Sequence, residues 1–181
     1  MTATLSEEII EALAKMLNAE PIVLSPEEAA AIPSQHKTRR LHTVEGELTP
    51  EAVIAKHQRR SVAICNTVGR AQALFEGVQA QVGGDVEVRL LHSRFLPADR
   101  EANETWLRRE FGKDKTAYTV ESAILVATQV IEVGLDITSE ALHTELAPAA
   151  SVIQRAGRCA RYQHEEGDVY VYRLPLNQNG N

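Results

Sequence analysis

Short apolar segments that alternate with longer helical patterns are the feature that most constrains how this chain can fold. Apolar residues predominate at consecutive positions of each segment, as in strands that are covered on both faces. The stretches between them are long enough for a helix that crosses from one parallel strand to the next. The segments are 61–65, 86–91, 123–127, 142–146 and 169–172. We therefore predict an α/β domain over residues 59–176, with a mainly parallel sheet between two layers of helices.

The residues outside this domain follow a different pattern. Residues 1–58 are predicted to be an accessory or linker segment, a short helical extension whose first helix ends near Asn18. Residues 36–45 fit either a strand or an extended arm, and their basic side chains are expected to be solvated: Lys37, Arg39 and Arg40. Residues 177–181 are expected to form a disordered tail.

Charge and cysteine content limit the kinds of partner. The chain has 25 acidic and 19 basic residues and a net charge of −6, so any contact with nucleic acid must be a local patch or groove. Cys65 and Cys159 lack metal-ligand spacing and fit small core residues in a reducing compartment, and no metal site is expected. No apolar stretch is as long as a membrane span and no signal pattern is present, so we expect a cytoplasmic protein without membrane contact.

The string Ser151–Arg161 carries three arginines at intervals of three residues. We predict that Arg155, Arg158 and Arg161 lie on one side of a helix. No Asp or Glu occurs over residues 146–164, so the arginines are expected to lack local carboxylate partners. Arginine favours bidentate recognition of an oxyanion, and phosphate is the oxyanion that we expect. The alternative is a solvated basic face near the carboxyl end of a helix.

Polar residues follow the predicted strands at their carboxyl ends, where ligands of parallel sheets bind. Asn66 and Thr67 open a helix whose free N–H groups can hold a phosphate, although such caps are also common structural features. Arg94 follows the next strand. Thr128 follows the third, where its hydroxyl can meet a backbone phosphate. We expect these polar and basic groups to collect at one edge of the sheet.

The loop after Thr128 adds two residues that suit a ligand. Gly134 permits close approach of the main chain to a bound molecule. Asp136 fits two roles, since it can accept hydrogen bonds from a ribose or cap the turn before Ile137.

Three of these strings resemble motifs IV, V and VI of superfamily-two helicases: Asn66–Thr67, Val126–Ile137 and Gln154–Arg161. Their order and spacing are similar to the second, C-terminal RecA-like domain of that motor, over residues 60–174. Two further strings narrow the resemblance to the helicase part of the CRISPR-associated nuclease-helicase of type I systems: Leu90–Phe95 with Asp99 and Arg100, and Thr144–Pro148.

This resemblance implies nucleotide-facing roles for five residues. Arg158 and Arg161 would be arginine fingers that meet the β- and γ-phosphates of ATP. Gln154 would face the same nucleotide and couple it to domain closure. Gly134 and Asp136 would lie beside the ribose.

The resemblance also implies a track for one DNA strand and a set of partners. Asn66, Thr67 and Thr128 would follow the strand's backbone, with Arg94 as a further contact, while Arg155 would brace the loop. ATP with Mg²⁺ would be held mainly by an N-terminal RecA-like half. The implied partners are that half, single-stranded DNA and a CRISPR effector complex.

Three motifs of a complete enzyme of this type are absent from the sequence. It contains no Gly-x-x-x-x-Gly-Lys-Ser/Thr loop, no Asp-Glu-x-Asp/His string for magnesium and no His-Asp nuclease signature. We therefore predict half a motor, which does not hydrolyse ATP alone. The alternatives are a non-catalytic RecA-like module that binds nucleic acid or protein, and the corresponding half of a general DEAD/DEAH-type helicase.

Overall fold

The five apolar segments form strands in the computed structural model, which describes residues 7–22, 25, 27–28, 37–132 and 134–175. In that part of the chain six parallel strands make one sheet, in the order β1-β6-β5-β2-β4-β3. The strands are β1 Thr38–Glu47, β2 Arg60–Ile64, β3 Val86–Leu91, β4 Ser122–Ala127, β5 Ala141–Glu145 and β6 Glu166–Arg173.

Helices precede the first strand and connect most of the strands. They are α1 Glu7–Leu17, α2 Pro50–Lys56, α3 Val68–Gln81, α4 Pro97–Glu110 and α5 Ala149–Ala156, with 3₁₀ turns at Lys115–Ala117 and Gln129–Ile131. Over the described ranges, every helix is too short or too polar to cross a membrane.

Apolar side chains pack on both faces of the sheet, which confirms the predicted three layers. On one face, α4 and α5 cover a core that includes Val62 and the buried Trp106. On the other face, α2 and α3 cover a second core that includes Ala63 and Leu74. Val62 and Ala63 are neighbours on β2 and face opposite cores, as expected for a strand buried on both sides.

β1 is an edge strand, which decides between the two interpretations of residues 36–45. It runs parallel to β6, and its basic residues have partners instead of being only solvated. Arg39 Nε donates a hydrogen bond to the carbonyl oxygen of Cys159, and Arg40 Nε lies 2.9 Å from the Asp168 carboxylate. Lys37 Nζ lies 3.4 Å from the carbonyl oxygen of Arg161. Arg39 and Arg40 are exposed, as expected for solvated side chains, but these positions also have hydrogen-bond partners that the sequence did not indicate.

The sheet domain starts earlier than the residue 59 expected from the sequence. The chain divides into two compact units, 1–35 and 36–181. β1 and α2 belong to the second unit because β1 is hydrogen-bonded to β6 and α2 packs in one of the two cores.

The first unit contains α1, which ends as predicted. Asn18 follows the helix with a φ of 47°, the left-handed conformation common just after helices. Ile10 and Leu13 are half-buried, whereas Met16 and Leu17 are exposed. The tail predicted at 177–181 lies outside the described residues.

A buried ion pair joins the start of β2 to the end of α4. Arg60 is 2% exposed and Glu110 is fully buried, with 3.2 Å between Arg60 Nη2 and Glu110 Oε2. The same guanidinium donates hydrogen bonds to four carbonyl oxygens, those of Arg59, Glu110, Val120 and Glu121. One side chain therefore holds together the helix, the strand and the segment that leads into β4.

Cys65 and Cys159 are buried and free, which confirms their prediction as small core residues. They belong to the cores on opposite faces of the sheet. Burial raises the pKa of each thiol to about 12, so neither is a reactive thiolate near neutral pH.

Candidate functional site

The turn after β2 is held firmly at the carboxyl edge of the sheet. Thr67 caps α3 by accepting a hydrogen bond from the N–H of Arg70 at 3.3 Å. The Asn66 N–H donates to the Glu145 carboxylate at 2.7 Å, and Asn66 Nδ2 donates to the carbonyl oxygen of Leu146 at 2.9 Å. The predicted phosphate-binding turn is therefore fixed against the end of β5.

Thr128 and Arg94 follow two other strands at the same edge. The Thr128 N–H donates to the carbonyl oxygen of Leu91 at 3.1 Å, which joins the ends of β4 and β3. Thr128 is 2% exposed, whereas Arg94 is exposed. The fold thus brings the residues that are expected to contact a DNA strand to one edge of the sheet, where Thr128 lies below the surface.

Arg155 is a buried brace at this edge. Its Nε donates to Glu132 at 2.8 Å, and its Nη1 donates to Asn66 Oδ1 at 3.0 Å and to Thr144 Oγ1 at 2.9 Å. These contacts support the interpretation that Arg155 braces the loop. No carboxylate near it in the sequence pairs with Arg155, but Glu132 from a segment distant in sequence does, so the guanidinium is not unpaired.

Arg158 lies beyond the end of α5, since the helix stops at Ala156 and does not continue to residue 161. Arg158 Nε donates to the carbonyl oxygen of Ile131 at 3.1 Å, and its Nη2 donates to that of Glu132 at 2.7 Å. Burial, together with the nearby charge of Arg161, lowers the pKa of Arg158. The side chain is turned inward, and the three arginines do not share one helix face.

Arg161 forms an ion pair with Asp136, so it too has a carboxylate partner. Both side chains remain accessible, at 36% and 65% exposed. The Arg161 N–H donates to Thr138 Oγ1 at 3.1 Å, and the Tyr162 hydroxyl donates to the carbonyl oxygen of Asp136 at 3.2 Å. The residue expected beside a ribose and one expected finger therefore contact each other directly.

Gly134 and Gln154 complete the predicted set. Gly134 has a φ of 82°, a conformation that side-chain-bearing residues rarely adopt. A Cβ added there would meet no protein atom within 4 Å, so within the domain it is the backbone conformation that favours glycine. Close approach to a bound molecule stays a prediction. Gln154 lies half-buried on α5, beside Arg155 in the chain.

The predicted residues form two groups instead of collecting at one edge. Asn66, Thr67 and Thr128 lie at the carboxyl ends of strands, but Arg161 lies in the segment that enters β6. Its neighbour Cys159 pairs with Ser139 just before β5, at the amino end of the sheet. The expectation of a single edge is wrong because α5 runs back across the sheet before the arginine loop begins.

Two carboxylates in this region, Glu132 and Glu145, are buried or nearly buried and were assigned no role from the sequence. The Glu132 side chain is 13% exposed and that of Glu145 is fully buried. Each is a single acidic residue in an otherwise mostly apolar string, and each ends or follows a buried strand. An isolated acid in such a position has to be paired, which is the signal that could have identified both.

Known proteins resemble the chain over this whole region. A family described as "CRISPR-associated nuclease/helicase Cas3, C-terminal" matches residues 57–164. The CRISPR-associated nuclease/helicase Cas3 of Streptococcus thermophilus is 38% identical over 114 residues, which are 60% of this chain and 12% of that protein. The match thus spans only about an eighth of that relative's length.

Solved structures share the architecture. The structure of T. fusca Cas3 with ADP has a TM-score of 0.67 and 25% identity, covering 88% of this chain and 20% of that one. S. cerevisiae Dbp5 bound to RNA and ADP BeF3 has a TM-score of 0.63 over 97% of this chain and 44% of that one. At 18% identity, this second likeness concerns the fold alone.

Proposed function

The chain belongs to the family of C-terminal domains of CRISPR-associated nuclease/helicase Cas3, and on that premise we propose that it is the C-terminal motor half of an ATP-dependent DNA helicase or translocase. In this role it supplies arginine fingers and part of the track for a single DNA strand, in CRISPR interference of type I. The partner is an N-terminal RecA-like half, and the assembled motor works with a CRISPR effector complex.

The accessible ion pair between Arg161 and Asp136 is the observation that carries this proposal. An exposed pair is stabilised weakly, so an incoming nucleotide can separate it at small cost. Arg161 then places positive charge on the phosphate undergoing transfer, while Asp136 accepts hydrogen bonds from the ribose. Gly134 and Gln154 flank the same nucleotide, the first through its backbone and the second through its amide.

Arg158 is proposed as the second finger. Its guanidinium is hydrogen-bonded to two carbonyl oxygens and not to a carboxylate, while the charge of Asp136 acts on it without a hydrogen bond. It is also close enough to Arg161 for each to feel the other's charge, which suits a pair that shares one phosphate group.

ATP and Mg²⁺ are held mainly by the partner half in this proposal. The present sequence lacks the loop whose backbone and lysine bind the β- and γ-phosphates, and it lacks the acidic string that binds magnesium. The isolated chain is accordingly inactive as an ATPase.

The strand track runs along the carboxyl edge of the sheet. The first turn of α3 offers backbone N–H groups, Thr67 offers a hydroxyl beside Asn66, and Arg94 offers an exposed positive charge. Thr128 lies between them at the end of β4. With a net charge of −6, the domain binds a strand weakly and with strong dependence on salt.

The fingers are tested in a motor assembled from this chain and an N-terminal half that carries the phosphate-binding loop. Arg161→Ala should lower kcat at least tens-fold and change KM for ATP little, because a finger acts on charge that develops during transfer. Arg173→Ala is the matched control, since Arg173 is also an exposed arginine paired with a carboxylate, that of Glu45. Equal kcat values in the two variants would contradict the finger assignment.

One observation favours a second candidate, a non-catalytic RecA-like binding module. The inward-facing contacts of Arg158 are those of a structural residue. If the assembled motor shows no ATP hydrolysis while the chain still binds a DNA strand, this second candidate is the correct one.

A further inference from the structure

A fully buried carboxylate at the end of β5 organises the strand-binding turn. One oxygen of Glu145 accepts the N–H of Asn66 at 2.7 Å, and the other accepts Nε of Arg70 in an ion pair. The resemblance assigned no role to Arg70, or to Glu145 within the string Thr144–Pro148. A buried charge is costly unless it is paired, so a carboxylate at this position is expected to have a function.

Arg70 bridges two strand ends at the surface. It lies in the first turn of α3, three residues after Thr67, and reaches across to the end of β5. Its side chain is 32% exposed while that of its partner Glu145 is fully buried. The guanidinium therefore lies at the carboxyl edge, between the buried carboxylate and solvent.

The geometry leaves Arg70 suited to a phosphate. A guanidinium has five N–H donors in a rigid fork, and here it is Nε that Glu145 engages. The fork is then fixed in orientation before a ligand arrives, so less side-chain entropy is lost when the two Nη groups bind an oxyanion. Arg155, by contrast, is directed inward and is almost completely buried.

We propose that Arg70 is a further phosphate-binding residue of the single-strand track, and that the buried carboxylate of Glu145 positions it. This inference rests on the proposed strand track. It adds a guanidinium to a turn otherwise lined by an amide, a hydroxyl and backbone N–H groups, and it gives the buried acid a function.

The test measures binding of the 181-residue chain to a labelled oligothymidylate by fluorescence anisotropy, between about 50 and 200 mM salt. Arg70→Ala should weaken binding several-fold at low salt and make the slope of log K against log salt shallower by about 0.7, the value for one single-strand phosphate contact. Arg89→Ala is the matched control, because Arg89 is 34% exposed and paired with Glu87 on β3. It should leave the slope unchanged.

Glu145→Gln separates positioning from simple electrostatics. Removing a negative charge from the edge would by itself tighten binding to DNA, whereas losing the residue that orients Arg70 should weaken it. Arg70→Lys keeps the charge and loses the fork, so it should keep the slope and lose affinity. A thermal melt on each variant checks that the domain is folded. If Arg70→Ala is not folded, Arg70→Lys is used in its place to test the role of Arg70.

Distinct outcomes overturn distinct statements. If the wild-type chain shows no salt-dependent binding, the strand track fails and the role of Arg70 with it. If the wild type binds but Arg70→Ala matches its slope, or Glu145→Gln binds more tightly than the wild type, the track stands and the role given to Arg70 and Glu145 is wrong.

Discussion

Replacing Arg60 with methionine should remove a large part of the domain's stability. The substitution keeps an apolar stem but deletes a guanidinium that donates to the Glu110 carboxylate and to four carbonyl oxygens. Glu110 is fully buried, and the cation that would still contact it, Arg109, has a side chain that is 43% exposed. Breaking a buried pair by removing one partner costs about 3–5 kcal/mol.

That loss converts into a measurable shift. For a domain of this size, each kcal/mol lowers Tm by about 2–4 °C, so Arg60→Met should melt about 6–20 °C below the wild type. Urea unfolding followed by circular dichroism gives the free energy directly. Arg40→Met is the matched control, because Arg40 is paired with Asp168 but is about half exposed, and its unfolding midpoint should stay close to that of the wild type.

A double substitution, Arg60→Met with Glu110→Leu, tests the cause. If the cost comes from an uncompensated buried charge, removing the charge as well should recover part of the stability. The reasoning is refuted if Arg60→Met unfolds at the same urea concentration as Arg40→Met, or if the double variant is less stable than the sum of the two single losses.

Four further predictions concern acid, backbone conformation and the brace. Burial lowers the pKa of His143 to about 3, so the unfolded chain takes up a proton first as pH falls below about 6.5. The free energy of unfolding should therefore decline from about pH 6.5 toward pH 3. Urea midpoints measured at several pH values should depend less on pH in His143→Leu than in the wild type. Burial raises the pKa of Glu110, but hydrogen bonds from Thr119, Arg109 and Val120 outweigh burial and lower the pKa to about 2. The contribution of Glu110 to stability is therefore present above about pH 4.3 and is lost toward pH 2, and Glu110→Gln should not show this loss. Gly134→Ala should cost about 1–2 kcal/mol in a thermal melt because of its positive φ, whereas Gly69→Ala, with open space and no such φ, should cost nothing or stabilise. Arg155→Ala should lower Tm and ATPase together, in contrast to Arg161→Ala, which should lower ATPase alone; unchanged Tm in Arg155→Ala would contradict its role as a brace.

The strands of the sheet were predictable because each buried strand carries its own signal. Val62 and Ala63 face opposite cores, so the run Val62–Cys65 is apolar at every position, which is a local property of the sequence. β1 carries a weaker signal. It is an edge strand with Leu41 exposed, and its polar side chains leave an arm and a strand equally consistent with the pattern.

The conformation of the arginine string and the partners of its arginines could not be predicted from the local sequence. Arginines at every third position predict a helix face, but Gly157 ends the helix and Ala160 takes a positive φ of 43°, so Arg158 and Arg161 leave it. Their partners are set by tertiary structure. Glu132 and Asp136 reach the arginines from the segment after β4, and no spacing within the arginine string could reveal them.

ATP hydrolysis by separated and recombined halves is the measurement that tests the half-motor most directly. Purified chain, a purified N-terminal half with the phosphate-binding loop, and an equimolar mixture are each assayed with and without single-stranded DNA. We predict turnover stimulated by DNA in the mixture and none from this chain alone, because its sequence holds no loop for the β- and γ-phosphates. Robust DNA-stimulated turnover by the pure 181-residue chain would contradict the proposal.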